Sequence, residues 1–202
     1  LKVLAIGAHF DDVELGCGGV LLRWQSEGHD VVVHTVTTSG YSDPRGRVIR
    51  SDEVARNEGI EAARSIGAEL IEGEFSALEV DFDDTLNGAL IEVFDRVKPD
   101  LVLTHWSGDT HRDHRIVARA TIHCARRVPR LLMYRSNWYE GDCQFQTQFW
   151  VDISEMLEEK LKLIELYESE NSRTGGAWID FIRAEARLQG LKAGCEYAEG
   201  FQ

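Results

Sequence analysis

Val3-Leu4-Ala5-Ile6-Gly7-Ala8 runs straight into His9-Phe10-Asp11-Asp12 and then into Val13-Glu14-Leu15-Gly16-Cys17-Gly18-Gly19. The first six residues form a short apolar run of small and branched side chains, the pattern of a strand buried on both faces. The polar residues after it read as a functional loop. The glycines open a helix that continues through Val20, Leu21, Leu22 and Trp24 and stops near Gly28. Val31 to Val36 supplies a second buried strand, which completes a β-α-β unit with parallel strands.

The alternation continues outward from this unit. A helix is predicted from Ser51 to Ile66, stopped by Gly67, with a short strand at Leu70 and Ile71. A further helix from Thr85 to Val97 is broken by Lys98-Pro99-Asp100, and a strand follows from Leu101 to Thr104. A polar loop, Trp106 to Asp113, precedes a helix from His114 to about Arg126. Beyond Pro129 the pattern gives strands at Leu131 to Arg135 and Phe149 to Ile153. A glutamate-rich helix from Ser154 to about Tyr167 reads as a solvated amphipathic face, and a last helix covers Trp178 to Leu191. The expected fold is α/β, a Rossmann-like three-layer sandwich with a mostly parallel sheet and a C-terminal elaboration, in one domain over residues 1–202.

Composition narrows the partners. At 202 residues such a domain buries about 70% of its unfolded surface and needs no structural metal, so any metal it binds is free to be catalytic. The formal charge of −13 repels a nucleic-acid backbone and leaves a neutral or cationic small molecule as the expected ligand. Cys17, Cys124, Cys143 and Cys195 lie far apart with no C-x-x-C pair and read as reduced thiols. With no long apolar run and no basic-then-apolar leader, the expectation is a cytoplasmic protein with no membrane partner.

In open parallel sheets ligands bind outside the carboxyl ends of the strands. Both polar clusters fall there: His9 to Asp12 after the first strand, and His105 to His114 after a later one, the second ending Thr110-His111-Arg112-Asp113-His114. Hydrolytic zinc takes three His, Asp or Glu ligands and leaves a position for water, which two ligands from the first loop and one from the second satisfy. The metal lowers the pKa of its water to about 7, and a free carboxylate beside it moves the protons. Helix capping competes as a role for Asp11, Asp12 and Asp113. Gly16, Gly18 and Gly19 are wrongly spaced for a dinucleotide loop and serve helix packing instead. His29, His34 and His123 read as surface or packing residues, and His105 as a neighbour of the site. Asp109 either bonds a ligand histidine or shapes a turn. Trp106, Trp138, Tyr139 and Trp178 divide between core packing and stacking on a sugar ring.

His9-x-Asp11-Asp12 with its glycine cluster, and the later His111-x-Asp113-His114, resemble the PIG-L/LmbE-like family of zinc-dependent N-deacetylases. Pro99 to His105, Glu61-Ala62-Ala63 with Gly67, and Gly194-Cys195-Glu196-Tyr197-Ala198-Glu199 extend the resemblance over essentially the whole chain. It implies that His9, Asp12 and His114 bind zinc, or Fe²⁺, which the same donors suit. Asp11 is then the general base and later the acid for the leaving amine. His111 polarises the acyl oxygen, and Asp113 sets the charge and orientation of His111. The implied reaction is hydrolysis of the acetamide of an amino-sugar-type substrate, an N-acetylglucosaminyl conjugate or related intermediate, by a homo-oligomer or a single chain. Two positions depart from the family pattern: Phe10 stands where proline is usual, and Ala55 where an arginine precedes the glutamate matching Glu58, so that Arg50 or Arg56 takes its place. The competing functions are a Mg²⁺- or Mn²⁺-dependent phosphoester hydrolase, which would favour more carboxylates and fewer histidines, and a catalytically silent ligand-binding domain. Residues 40–50 and 134–148 are expected to set specificity.

Overall fold

A computed structural model describes residues 1–202. In chain order its elements are β1 (Lys2–Gly7), α1 (Asp12–Ser26), β2 (Asp30–Thr37), β3 (Tyr41–Ser42), β4 (Val48–Arg50), α2 (Asp52–Ile66), β5 (Glu69–Phe75), α3 (Asp84–Val97), β6 (Leu101–His105), α4 (Arg112–Cys124), β7 (Leu131–Tyr134), β8 (Phe149–Asp152), α5 (Leu157–Glu165), α6 (Glu168–Thr174), α7 (Ala177–Ala193) and β9 (Ala198–Phe201). Five strands form one wholly parallel sheet in the order β5-β2-β1-β6-β7. The order reverses between β1 and β6, so the loops leaving these two strands diverge and open a crevice at the switch point. Both histidine clusters follow these two strands.

Alternation along β1 and β6 divides the core into two layers. Val3, Ala5, Leu101 and Leu103 face a layer built with α1, α5 and α7, including Leu21, Leu161, Ile164 and Ile182. Leu4, Ile6 and Val102 face the opposite layer, with Leu86, Leu90 and Val93 of α3 and Val117 and Ala120 of α4. The expected three-layer arrangement is thus present. Local chemistry sets its helix ends: Ser51 accepts from Val54 N–H at the start of α2, Asp83 accepts from Leu86 N–H at the start of α3, and Gly67 closes α2 in the left-handed conformation.

The C-terminal third differs from the sequence expectation. The predicted helix over residues 154–167 is shorter and is followed at once by α6, and its face is not simply solvated, because Lys160 is 2% exposed beside Leu157 and Leu161. Residues 41–50 hold the small β3-β4 hairpin, and β9 returns to pair with β8. Such short strands, stabilised by what they pack against, leave no period long enough to read.

His34 on β2 is a packing residue, as expected: it is 4% exposed and its Nδ1 lies 2.9 Å from the Ile71 carbonyl oxygen. Burial pushes its pKa down to about 4. An unfolded His34 takes up a proton near pH 6.5, whereas the folded one stays neutral to about 4. Its contribution to stability is therefore complete above pH 6.5 and drains away as pH falls below it, by about 3 kcal/mol at pH 4. Urea unfolding at pH 7.5 and 4.5 should show a smaller acid loss in His34→Leu than in wild type; equal losses would contradict a neutral buried His34.

Candidate metal centre and active site

The loop after β1 is held in a conformation that its residue types resist. Asp11 has φ 122°, a left-handed value that a non-glycine residue adopts at a cost of about 1–3 kcal/mol. The surroundings over-determine it. Ala8 N–H donates to His105 Nε2 at 3.0 Å and Phe10 N–H to Ser39 Oγ at 2.9 Å. Thr37 Oγ1 donates to Ala8 O at 2.8 Å, and the Arg50 guanidinium donates to Phe10 O at 3.1 Å. Asp11 occupies the N-cap position of α1, yet its side chain makes no capping bond and meets Arg50 Nη1 at 3.0 Å instead.

Asp12 stands at the centre. It is 3% exposed. One carboxylate oxygen lies 3.1 Å from His114 Nε2 and accepts from Ser136 Oγ at 3.2 Å. The other accepts from His9 N–H at 2.7 Å and lies 3.2 Å from His9 Nδ1 and 3.1 Å from His105 Nε2. The far nitrogens of the first two histidines each meet a different carboxylate: His9 Nε2 is 3.0 Å from Asp113, and His114 Nδ1 is 3.1 Å from Asp109. A carboxylate behind each imidazole fixes its tautomer and leaves the near nitrogen's lone pair for a cation, the arrangement that surrounds metal-ligating histidines. By this test of donor chemistry the residues present fit a divalent metal. Donor atoms converge in two tight groups that share His114, namely His9, His111 and His114, and Asp12, His105 and His114.

Protonation shows the same demand for positive charge. Burial opposes charging of His9, but its bonds to Asp113 and Asp12 outweigh it and raise the pKa to about 10. Burial likewise opposes charging of His114, and Asp12 and Asp109 raise it to about 9. Asp12 is held well below the usual carboxylate range, against burial, by His114 and His105. Without metal, protons on two imidazoles balance the carboxylates; a metal cation would take their place.

His111 and Asp11 differ from these residues. His111 is the N-cap of α4, and its Nδ1 accepts from Asp113 N–H at 3.2 Å, which assigns the proton of the neutral ring to Nε2. Burial and the charges of His114 and His9 push its pKa down to about 4, so it is a neutral N–H donor at pH 7. Burial pushes the Asp11 carboxyl up, to about 8, against the pull of Arg50. A carboxyl that titrates near neutrality can both take and return a proton.

Sequence and structure part company over Asp113. Its carboxylate was expected on His111, but it contacts His9 and accepts from Leu78 N–H at 2.7 Å, and only its backbone reaches His111. The reason is helical geometry: as the second residue after the cap, Asp113 presents its N–H to the capping side chain while its own side chain projects elsewhere. Of the two arginines weighed for the family position, Arg50 reaches the site, 4% exposed and bridging Asp11 to Glu58 at 2.8 Å, whereas Arg56 pairs with Glu72. The two departures from the family pattern form one packing unit. The Phe10 ring lies against Ala55 and Ala62, and a Cβ at Gly59 would overlap it. Small residues on α2 thus make room for the large residue in the loop.

A cavity of about 330 Å³ opens over these groups, bounded by Tyr41, Tyr139, Trp178 and Arg173 as well as the histidines. Trp106, by contrast, is buried, and Trp138 packs edge-on to Phe181 at 5.4 Å. A larger groove of about 490 Å³ between β5 and α3 lies apart from the histidine cluster. The sequence did not single out Ser39 or Glu14, and it marked Ser136 and Asn137 only as part of the segment 134–148 expected to set specificity. Ser39 and the Ser136-Asn137 pair follow the carboxyl ends of β2 and β7, so strand position was the available signal. Glu14 is 3% exposed, and burial pushes its pKa up to about 7.

A doubly wound α/β protein with a histidine- and carboxylate-rich centre at its switch point is the class that fold and site define. Within that class the chain belongs to the PIG-L family, described as GlcNAc-PI de-N-acetylase, whose pattern matches residues 4–125. It is 32% identical over 151 residues to the uncharacterized deacetylase YaiS of Escherichia coli, covering 67% of this chain and 75% of that protein. It is also 26% identical to the diacetylchitobiose deacetylase of Thermococcus kodakarensis, covering 100% of this chain and 82% of the relative. Among solved structures, the N,N'-diacetylchitobiose deacetylase of Pyrococcus horikoshii superposes with a TM-score of 0.86 at 23% identity, covering 100% of this chain and 82% of the other, and shares its fold.

The contact between Asp113 and His9 leads to a test. Asp113→Asn should weaken divalent-metal binding about 10- to 100-fold in a chelator competition titration. Unchanged affinity would mean that the contact between Asp113 and His9 does not support a metal site.

Proposed function

We propose that this protein is a zinc-dependent N-deacetylase that releases acetate from a small N-acetylated amino-sugar conjugate, with residues 1–202 working as one domain. The observation that carries the reading is the pair of carboxylate-backed imidazoles, His9 and His114, converging on Asp12 beside the separate carboxyl of Asp11. His105 is the less suitable ligand, since its Nε2 already accepts from Ala8 N–H. Family membership and the deacetylase relatives support the reaction class. Two imidazoles and one carboxylate are a nitrogen-rich donor set, which argues against a Mg²⁺- or Mn²⁺-dependent phosphoester hydrolase.

Zinc held by His9, Asp12 and His114 would polarise the acyl oxygen and acidify a water. The Asp11 carboxylate takes a proton from the attacking water and returns it to the departing amine. Arg50 holds Asp11 in place and keeps part of its population ionised against burial. His111, neutral and protonated on Nε2, donates to the acyl oxygen as negative charge develops there. Tyr41, Tyr139 and Trp178 on the cavity wall supply aromatic surface for a sugar ring.

Metal content and acetate release from a panel of N-acetylglucosaminyl compounds test the reading. Wild type should carry about one zinc per chain and release acetate. Asp11→Asn should retain zinc and lose about 10²- to 10⁴-fold in kcat, and His111→Ala about 10²- to 10³-fold. His114→Ala should lose the metal. Bound zinc with no acetate from any compound would contradict the assigned substrate class; full activity in Asp11→Asn would remove the assigned base.

A further inference from the structure

Helix α1, which carries Asp12 in its first turn, is not one regular helix. Cys17 has φ −146° and ψ 16°, which separates a short segment beginning at Asp12 from a longer one that continues to Ser26. Beside the break, Gly16 packs against the Tyr134 ring so closely that a Cβ would overlap it, while Tyr134 Oη donates to Ile6 O at 2.9 Å. The break leaves backbone groups needing partners on both sides.

A buried ion pair from the C-terminal elaboration serves both sides. Glu199 of β9 accepts from Gly19 N–H at 2.9 Å and from Val20 N–H at 2.8 Å, at the amino end of the longer segment. Lys160 of α5 donates to Leu15 O at 2.7 Å, at the carboxyl end of the shorter one, and to Glu199 at 2.6 Å. Leu15 O and Gly19 N–H are the groups that a regular helix pairs with each other, four residues apart. Here each has a partner from the ion pair. An anion at a helix amino end and a cation at a carboxyl end both have the sign that the helix dipole favours. Lys160 and Glu199 are 2% and 5% exposed, and Gly19 lets the carboxylate approach, since a Cβ there would come within 3.1 Å of it.

We propose that Lys160 and Glu199 are positioning residues for the metal centre: they fix the first turn of α1 relative to the rest of the helix and so set where Asp11 and Asp12 meet the histidines. The inference rests on the deacetylase reading above. Neither residue touches the cavity groups Asp11, Asp12 or the histidines, so both act through the backbone of Leu15, Gly19 and Val20. A misplacement of about 1 Å at a reacting group costs on the order of 10²-fold in rate.

The experiment compares wild type, Lys160→Met, Glu199→Gln and Val93→Ala, the last a core truncation in the layer on the opposite side of the sheet. Zinc affinity by chelator competition, kcat, KM and melting temperature are measured for each. Lys160→Met and Glu199→Gln should lose about 10- to 100-fold in kcat with KM little changed, and bind zinc at least tenfold more weakly. Val93→Ala should melt earlier but keep both properties. If Glu199→Gln does not fold, Glu199→Asp and Lys160→Arg, which keep the charges, should show intermediate losses. Variants that melt early yet match wild type in kcat and zinc affinity would overturn the proposal and make the pair merely structural. A wild-type protein that neither binds zinc nor releases acetate would overturn the deacetylase reading itself, before any variant is compared.

Discussion

Asp12 is a buried carboxylate, and a buried charge persists only where opposite charge and hydrogen bonds surround it. Around this one group the protein gathers His9 and its N–H from the loop after β1, His105 from the end of β6, His114 from the start of α4 and Ser136 from the loop after β7. His9 and His114 are in turn anchored by Asp113 and Asp109. Removing any one of these leaves a charge or a polar atom unpaired inside the protein, so the cluster behaves as a unit. The parallel sheet supplies what the cluster requires, namely strand ends whose loops converge while the backbone beneath stays rigid.

Much of this was legible in the sequence because these strands are apolar and buried on both faces. Val3 to Ala8 and Leu101 to Thr104 announce themselves, and the rule that ligands sit at strand carboxyl ends then places His9 to Asp12 and His111 to His114 in one crevice. The partnership of each side chain was harder to read. Asp113 reaches His9 rather than its neighbour in sequence, because which way a side chain projects from a helix cap depends on the cap geometry and not on spacing. Ser39 and Ser136 carry no pattern of their own; only their position after a strand marks them.

The C-terminal third was the least legible, and it holds a second buried charge pair. Lys160 sits in a glutamate-rich stretch that reads as solvated, and Glu199 in a strand of four residues. Each looks like a surface residue until tertiary packing brings them together on α1. Phe10 shows the complementary case. A local departure from the family pattern at one position is matched by Ala55 and Gly59 on α2, a compensation visible only in three dimensions.

The most direct test of the account is the anomalous-diffraction map of the zinc-loaded protein. A single peak about 2.0–2.2 Å from His9 Nδ1, an Asp12 oxygen and His114 Nε2 is predicted, with Asp11 and His111 outside the coordination shell. A peak held by His9, His111 and His114 without Asp12, or one seated between Asp12 and His105, would contradict it.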